Sequence, residues 1–495
     1  MDPKASALRR PTKKRTTIQA LSLDILSIIF SFFDIVQLIQ CSAVCKSWRT
    51  VVDKVKLLQL QYHKEQESDS SGICDASTCG ERSWKRDLEQ IGMDRHRRSL
   101  QEGSIAVCQW KGHSVGVDQC RMKMGLILTG VGDKVMRLWS AESYKCLDEY
   151  SLPDRAPLID FDFDESKVVG LVGTRLSIWR RDAARNIISS RESLFTKALC
   201  MRYVDPEAAV GCEDGKVRVY DMYSRKCSRI IKMHQGPVTC LSFNDDQLVI
   251  SGSSLGSISI SDLSSDQRAN SDLSHAPEAS RQVMMTDLLP YKSALSLPGL
   301  GTNLTPVPKL NNSSTNPCPN YLVAYAMPYL IVFHYCCFHR NKTCEIRSLC
   351  LNPWSHYLFA GSSAGSAYCW DLRATNKPLW ETRVSPNVLY TMHHLRSDTS
   401  ALVIGGIDGV LRVVDQDTGE VFSRCILDES SSVSNRSKDA HGVIERKKGK
   451  RLPEDARIDL MPKTHRPPIT CLAVGMEKVV TTHNDKYIRV WKFKK

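Results

Sequence analysis

From residue 104 onward, short runs of alternating apolar and polar residues recur along the chain. Such alternation predicts β-strands that bury one side. Seven of the runs end at a comparable closing position, which is an aromatic residue followed by an acidic one or a related pair. The closing residues are Trp139, Trp179, Tyr220, Ser261, Trp370, Val414 and Trp491. By subtraction they lie 40, 41, 41, 109, 44 and 77 residues apart, which predicts one strand-rich unit repeated, with extra segments in the two long gaps.

Other polar residues recur at fixed places in these units. A histidine opens three units, and an aspartate in a tight turn precedes four of the closing strands. The turn aspartate, the histidine and the closing tryptophan can form a buried hydrogen-bond network that fixes how one strand bends into the next. We therefore interpret these positions as structural. They are His113, Asp133, Trp139, Trp179, Asp214, His234, Trp370, Asp371, Asp408, His465, Asp485 and Trp491.

These units resemble the WD repeat. Leu255 and Ala364 stand where the turn aspartate is expected, and the second unit keeps Trp179 alone. The resemblance implies four short antiparallel strands per unit and seven blades that close into a propeller. The last unit has room for three strands, whereas the strand-like segment 104–110 has no partner. We predict that this segment completes the last blade, so that no long sheet edge stays exposed.

The first sixty residues follow a different, helical pattern. From Asp34, a good helix N-cap, apolar residues recur at helical spacing as far as Trp48. Two strongly apolar segments, 21–26 and 29–33, precede this helix. A few short apolar helices cannot form a large core of their own, so we expect them to offer an apolar surface to a partner.

These N-terminal segments resemble the F-box, the motif by which receptors of ubiquitin ligases dock on the Skp adaptor. The elements Ile29-Phe-Ser-Phe and Val44-Cys-Lys-Ser-Trp48 match it, and Leu21-Ser22 stands where the motif usually has Leu-Pro. The resemblance implies a set of residues that contact Skp or form the F-box's own small core, with Trp48 as the expected anchor by residue type. The set is Leu21, Ile25, Ile29, Phe30, Leu38, Val44 and Trp48. An ordinary helical hairpin packed on its own chain is the alternative.

The predicted fold class is mainly β: a seven-bladed WD-repeat propeller preceded by a small all-α F-box and a helical linker. Residues 1–16 form a basic N-terminal tail, 17–62 the F-box, 63–103 the linker and 104–495 the propeller, with insertions at about 264–342 and 427–463. In the linker, Trp84, Leu88 and Ile91 are spaced like one helical face.

Two parts of the insertions are distinctive. Residues 321–338 carry no charge, and Pro328 and His334 argue against a membrane span. We expect a strand pair, a disordered apolar segment or a translated non-coding piece there. Residues 430–462 are highly charged, which predicts disorder.

The chain of 495 residues carries a net charge of +13, with basic clusters near residues 9–15, 95–98 and 446–451. The first and last clusters could serve as nuclear-import signals. Aromatic residues are not interleaved with the clusters, which disfavours nucleic acid as a partner. Without a secretory signal, the 19 cysteines are expected to be reduced. We expect a cytoplasmic or nuclear protein, or one found in both places.

Motifs for catalysis are missing from the sequence. It has no glycine-rich phosphate loop, no Gly-x-Ser-x-Gly and no common zinc-ligand spacing. We therefore predict that the protein is not an enzyme and has no catalytic residue, no metal, no cofactor, no small-molecule substrate and no membrane association.

The resemblance implies the substrate-recognition adaptor of an SCF (Skp–cullin–F-box) ubiquitin ligase. The F-box would dock on Skp and its cullin–RING ligase, and the propeller would bind a protein substrate that the sequence does not identify. Two alternatives stay open. One is a non-ligase nuclear scaffold associated with chromatin or RNA, and the other is a receptor for the cullin class with a propeller adaptor, through Trp370-Asp371-Leu372-Arg373.

No substrate-binding residue is assigned from the sequence. The blade turns contain no arginine, so we expect no arginine cluster for a phosphopeptide in the channel. The arginines that recur two residues before the closing position are expected to face solvent or a neighbouring blade. They are Arg137, Arg218, Arg412 and Arg489.

Overall fold

A computed structural model gives the architecture of the chain. It describes residues 21–33, 37–38, 41, 46–54, 56–58, 60–61, 83–130, 135–152, 157–181, 187–189, 197–244, 246–263, 323–327, 330–334, 338–339, 342–373, 378–396, 398–428, 437–439 and 442–494. The chain divides into two compact units, residues 1–95 and 96–495. No helix within the described ranges is both long enough and apolar enough to cross a membrane.

The first unit is helical. Its helices are α1 (Leu23–Ser31) and α2 (Lys46–Lys54), and α3 (Ser83–Glu102) begins in it. Ser22 caps α1, because its hydroxyl accepts a hydrogen bond from the backbone N–H of Ile25 at 3.4 Å. The Phe30 ring meets the Trp48 ring edge-on at 5.2 Å. A small core is closed by Leu26, Phe30, Leu38, Val51, Val52, Leu57 and Leu58.

The described residues of the second unit form seven blades of antiparallel strands. The first strand of each blade contacts the first strands of its neighbours, and the last of these contacts the first, which closes a ring. The first strand is therefore innermost and the fourth outermost. The fold class predicted from the sequence, a mainly β WD-repeat propeller preceded by an F-box, is confirmed.

The first three blades are regular four-stranded sheets that follow β1 (Ser104–Lys111). Blade 1 contains β2 (Gln119–Lys123), β3 (Leu126–Gly130), β4 (Val135–Ser140) and β5 (Cys146–Ser151). Blade 2 contains β6 (Leu158–Phe163), β7 (Lys167–Val172), β8 (Arg175–Arg180) and β9 (Ile187–Ser189). Blade 3 contains β10 (Ala198–Val204), β11 (Glu207–Cys212), β12 (Lys216–Asp221) and β13 (Lys226–Lys232).

Blade 4 takes its outer strands from the uncharged part of the first insertion. It contains β14 (Val238–Phe243), β15 (Leu248–Ser253), β16 (Ile258–Asp262), β17 (Val323–Met327) and β18 (Leu330–His334). β18 pairs with both β16 and β17, so the expected strand pair is present. Its apolar composition suits a segment that supplies the missing fourth strand of a blade.

Blades 5 and 6 are again four-stranded. A short hairpin, β19 (Phe338–His339) with β20 (Lys342–Thr343), precedes blade 5. Blade 5 contains β21 (Ile346–Asn352), β22 (Tyr357–Ser362), β23 (Ser366–Asp371) and β24 (Trp380–Arg383). Blade 6 contains β25 (Leu389–His393), β26 (Ala401–Gly406), β27 (Leu411–Asp415) and β28 (Val421–Asp428).

Blade 7 closes the ring as the sequence predicts. It contains β31 (Cys471–Gly475), β32 (Lys478–Thr482) and β33 (Tyr487–Lys494). Its fourth strand is β1, which pairs antiparallel with β33 from Ser104 opposite Lys494 to Lys111 opposite Tyr487. The outer edge of the last blade is thus covered by the first strand of the propeller.

The charged second insertion contains a strand, so the expected disorder is wrong for these residues. The strand β30 (Gly442–Arg451) pairs with β28 on one side and with β1 on the other, which joins blades 6 and 7 into one sheet. The short β29 (Ser437–Asp439) also pairs with β30. One inserted strand forms backbone hydrogen bonds with both outer strands, and this pairing does not depend on the charge of its side chains. Two 3₁₀ turns, Ile458–Leu460 and Lys463–His465, follow it.

The second unit begins at His96, before the predicted propeller boundary at residue 104. His96, Ser99 and Leu100, in the last turns of α3, are fully buried, and Leu100 belongs to the core cluster that contains Trp491. The Arg451 guanidinium donates hydrogen bonds to the Ser99 and Gly103 carbonyls at 3.2 and 2.8 Å. These last turns of the linker helix are therefore part of the propeller.

Candidate functional site

The helix α1 has two apolar faces. Leu26 and Phe30 point into the small core of the first unit and are buried. A second row, with spacings of four, three and four residues, is exposed. This exposed stripe consists of Leu21, Ile25, Ile28 and Phe32, which are 36, 47, 59 and 82 % exposed. Because soluble proteins rarely leave such apolar rows uncovered, the exposed stripe is a candidate partner-binding surface.

The structure separates the residues that the sequence grouped as candidate Skp contacts. Leu21 and Ile25 lie on the exposed stripe, whereas Phe30 and Leu38 are buried in the core. Ile29 and Trp48 are half-buried and pack against that core, and Trp48 contacts Phe30, which makes it a core residue more than a free anchor. Val44 lies outside the described residues.

The sequence reasoning missed Ile28 and Phe32. Both belong to the helical row of Leu21 and Ile25, so the 3.6-residue period of α1 could have identified them.

In blades 1 and 7 the closing tryptophan takes part in a buried hydrogen-bond network that runs through a threonine, which the sequence analysis did not include. In blade 1, the Trp139 indole N–H donates to the Thr129 hydroxyl at 2.9 Å, and His113 Nε2 lies 2.9 Å from the same hydroxyl. In blade 7, Trp491 contacts Thr481 at 2.9 Å.

In blade 7 the histidine of this network is not the predicted one. His483 Nε2 lies 2.7 Å from the Thr481 hydroxyl, whereas the predicted His465 lies in the turn Lys463–His465. The structural role of His465 as a repeat position stays a prediction. The histidine that contacts Thr481 comes from the turn after β32.

Other predicted repeat positions have varied surroundings. His234 contacts the hydroxyls of Ser251 and Ser257, both at 2.8 Å. Trp179 and Trp370 are buried and pack against Tyr150 and Tyr368. Asp133 lies outside the described residues.

The turn aspartates pair with the recurrent arginines, which the sequence analysis placed facing solvent or a neighbouring blade. The pairs are Asp214–Arg218 at 2.8 Å, Asp408–Arg412 at 2.5 Å and Asp485–Arg489 at 2.7 Å. All three arginines are buried. Their burial contradicts exposure to solvent, one of the two expected orientations, because an aspartate four positions earlier supplies a carboxylate to each of them.

The Asp408–Arg412 pair is the most deeply buried of these. Burial by itself raises the pKa of Asp408, but the hydrogen bonds and charge of Arg412, with the Ser385 hydroxyl, hold that pKa below its ordinary value. Arg137 binds Glu149 at 2.8 Å and donates to the Gly112 carbonyl at 3.1 Å; Asp133, four residues before it, lies outside the described residues.

The Trp370-Asp371-Leu372-Arg373 segment ends β23. The Arg373 guanidinium donates two hydrogen bonds to the Asp371 carboxylate, at 2.9 and 2.8 Å. The Arg373 side chain is half exposed, so it is accessible, although its donors are partly used within its own blade.

Arginines on the innermost strands were also missed. Arg121 of β2 and Arg202 of β10 both bind Asp160 of β6, at 2.7 and 3.2 Å. This carboxylate bridges blades 1, 2 and 3 and is shared by two guanidinium groups. The blade turns contain no arginine, but the innermost strands do, so the content of the turns was no guide to the charge near the channel.

This inner positive charge affects neighbouring groups. Burial, followed by the charges of His394, Arg121 and Arg202, lowers the pKa of His393 to about 3. A hydrogen bond from Cys120 is the largest influence that lowers the pKa of Cys471 to about 6, and Arg121 adds to it. Among the described residues, no group of three or more His, Cys, Asp and Glu side chains could hold a metal ion.

Comparison with known proteins places these elements in a family. The F-box domain model matches residues 18–60, and the model of the WD domain, G-beta repeat, matches residues 225–262 and 334–371. The chain is 43 % identical over 514 aligned residues to the F-box/WD-40 repeat-containing protein At3g52030 of Arabidopsis thaliana, covering 99 % of this chain and 97 % of that protein.

A more distant relative is the mouse guanine nucleotide-binding protein subunit beta-like protein 1. It is 24 % identical, over 43 % of this chain and 67 % of its own length. The near-complete match to the Arabidopsis protein, together with the two domain models, is decisive: the chain belongs to the F-box/WD-40 repeat proteins.

Proposed function

We propose that the protein is a substrate-recognition adaptor of an SCF-type ubiquitin ligase. The F-box would dock on Skp and thereby on the cullin–RING ligase, and the propeller would hold a protein substrate. Ubiquitin transfer would be performed by the ligase and its partners, and this chain would have no catalytic role. The observation that carries the proposal is the exposed stripe of α1.

The geometry of α1 favours a docking role over a purely structural one. A helix that needs only to close the small core would have one apolar face, and α1 has two. Phe32 is 82 % exposed. Covering such a side chain contributes about 1.5–3 kcal/mol, which corresponds to about a ten- to hundredfold gain in affinity.

The propeller suits the second half of the role. The outer edges of blades 7 and 6 are paired, by β1 and by β30, so these two blades can present a surface to a protein without an exposed strand edge between them. We propose that it works in the cytoplasm, the nucleus or both. Use of residues 446–451 as an import signal would require β30 to leave two partner strands.

Co-purification from cells that express the full chain tests the proposal. Skp and a cullin should be recovered with the wild type and lost with Ile28→Asp, because a charge would be buried unpaired in an apolar contact. Ser27→Asp places the same charge on α1 away from the exposed stripe, and it should leave recovery unchanged. Equal recovery with both variants would contradict the proposal.

The same experiment separates the alternatives. Chromatin or RNA-binding proteins without Skp would indicate a nuclear scaffold. A propeller adaptor whose recovery depends on Arg373 would indicate the other cullin class, for which the half-exposed Arg373 side chain is the relevant observation.

A further inference from the structure

Six basic side chains share one face of the sheet that joins blades 6 and 7. In antiparallel sheets, residues directly opposite one another point to the same side. Lys448 of β30 lies opposite Ala106 of β1, and Ala106 lies opposite Lys492 of β33. Lys492 in turn lies opposite Lys478 of β32. With the alternate residues of the same strands, the set is Arg446, Lys448, Lys450, Lys478, Lys492 and Lys494.

These cations flank a strip of small side chains. β1 runs between β30 and β33 and contributes Ser104 and Ala106 to this face. Neighbouring strands are about 4.8 Å apart, so the two basic strands are separated by about 10 Å. The result is a shallow groove with a floor of small residues and a basic wall on each side. We call this surface the basic groove.

The charge of the basic groove is not balanced within the described part of the chain. None of its six cations forms an ion pair with another described residue, whereas exposed lysines elsewhere do, for example Lys197 with Glu213. Among the acidic residues with described side chains, Asp428 lies opposite Lys448 and Glu142 lies beside Tyr144.

The surroundings of Lys492 show the effect of these neighbouring positive charges. Its Nζ lies 5.1 Å from the centre of the Tyr144 ring. Burial, and then the charges of Lys478, Lys494 and Arg446, lower the pKa of Lys492. An anion in the basic groove would relieve the repulsion among these groups.

We propose that the basic groove binds an acidic segment of a partner protein in extended conformation. Alternate residues of a strand are about 6.6 Å apart, so Lys448 and Lys450 on one wall repeat at the spacing of alternate carboxylates in an extended peptide. Lys492 and Lys494 do the same on the other wall.

A single-stranded nucleic acid fits this surface less well, because its recognition depends on exposed aromatic rings that stack with bases. Tyr144, the aromatic residue at the basic groove, is buried under Lys492. The basic groove runs along β1, the outermost strand of blade 7, and the inference does not depend on the ligase role.

Fluorescence anisotropy with the full-length protein tests the inference. The probe is a fluorescein-labelled peptide in which glutamate and serine alternate, and the reference peptide has glutamine in place of glutamate. Lys448→Glu with Lys494→Glu should weaken binding of the acidic probe at least about tenfold, because two exposed attractive charges become repulsive. Binding should also weaken steeply as salt is raised.

The matched control carries Lys226→Glu with Lys486→Glu, which changes the net charge equally at exposed lysines outside the basic groove. It should leave the affinity within about twofold, since it changes only the long-range field, which salt screens. If the charge reversal disturbs folding, Lys448→Gln with Lys494→Gln serves instead, and it should also weaken binding of the acidic probe because two attractive charges are removed. Equal affinity of wild type and both groove variants would overturn the inference. Tighter binding of a uridine oligonucleotide of equal charge would also overturn it.

Discussion

Replacing Arg412 by leucine removes one partner of an ion pair that is buried inside blade 6. Both side chains are about 1 % exposed, and the guanidinium binds the Asp408 carboxylate through two nitrogens, at 3.0 and 2.5 Å. Asp408 would keep the Ser385 hydroxyl at 2.7 Å and the Val410 N–H at 3.2 Å. These two neutral donors do not balance a buried negative charge.

The expected loss in the free energy of unfolding is about 3–5 kcal/mol, the range for breaking a buried ion pair by removing one partner. Adding Asp408→Asn to Arg412→Leu removes the orphaned charge and should recover most of that loss. The matched control is Arg373→Leu, which breaks the half-exposed Asp371–Arg373 pair. Its cost should stay below about 1 kcal/mol, because water screens that pair.

The effect should also depend on pH. In the wild type the pKa of Asp408 is held below its ordinary value, since the attraction of Arg412 outweighs burial. Such a group contributes stability above its unfolded pKa of about 3.9, and the contribution is lost as pH falls through the folded pKa. Without Arg412, burial raises the pKa, and the carboxyl becomes neutral at higher pH. The stability difference between wild type and variant should therefore be largest near neutral pH and shrink toward pH ~4.

Urea unfolding followed by tryptophan fluorescence measures these differences, because Trp370, Trp380 and Trp491 are buried in blades 5 and 7. An Arg412→Leu midpoint equal to that of Arg373→Leu would refute the reasoning. So would a stability difference that grows as pH falls.

Two further predictions concern closure and a turn. Deleting residues 104–111 removes the outer strand of blade 7 and should lower the melting temperature of the propeller, whereas deleting residues 1–95 should leave it nearly unchanged; equal melting would contradict the closure by β1. Gly409→Ala should destabilise the protein more than Gly125→Ala in chemical denaturation, although both glycines have positive φ, because a Cβ at Gly409 would lie 2.0 Å from the Arg466 carbonyl oxygen and at Gly125 would meet nothing within 4 Å. Equal losses of stability in the two variants would contradict this prediction.

Closure of the propeller could be predicted because β1 has an alternating pattern and no partner within its own unit. The strand β30 could not, because its pattern of Lys and Arg carries no apolar signal. Its structure comes from backbone hydrogen bonds to β28 and β1. Gly449 permits close packing there, since a Cβ would lie 2.4 Å from an Ile105 side-chain atom.

The candidate docking surface was predictable in part. The motif identifies α1, and the helical period of Leu21 and Ile25 extends to Ile28 and Phe32. The burial of Phe30 and Leu38 depends on how α1 packs against the rest of its unit, including Val51 and Val52, and motif letters carry no information about that packing. The Asp408–Arg412 pair was hidden for a similar reason, because it needs the turn to fold back over its strand.

Titration of the purified full-length chain with purified Skp tests the central claim most directly. The account predicts saturable binding that Phe32→Ala weakens about ten- to hundredfold, that Ile28→Asp abolishes and that Ser27→Asp leaves unchanged. Unchanged affinity for Phe32→Ala and Ile28→Asp, in variants that melt like the wild type, would contradict it.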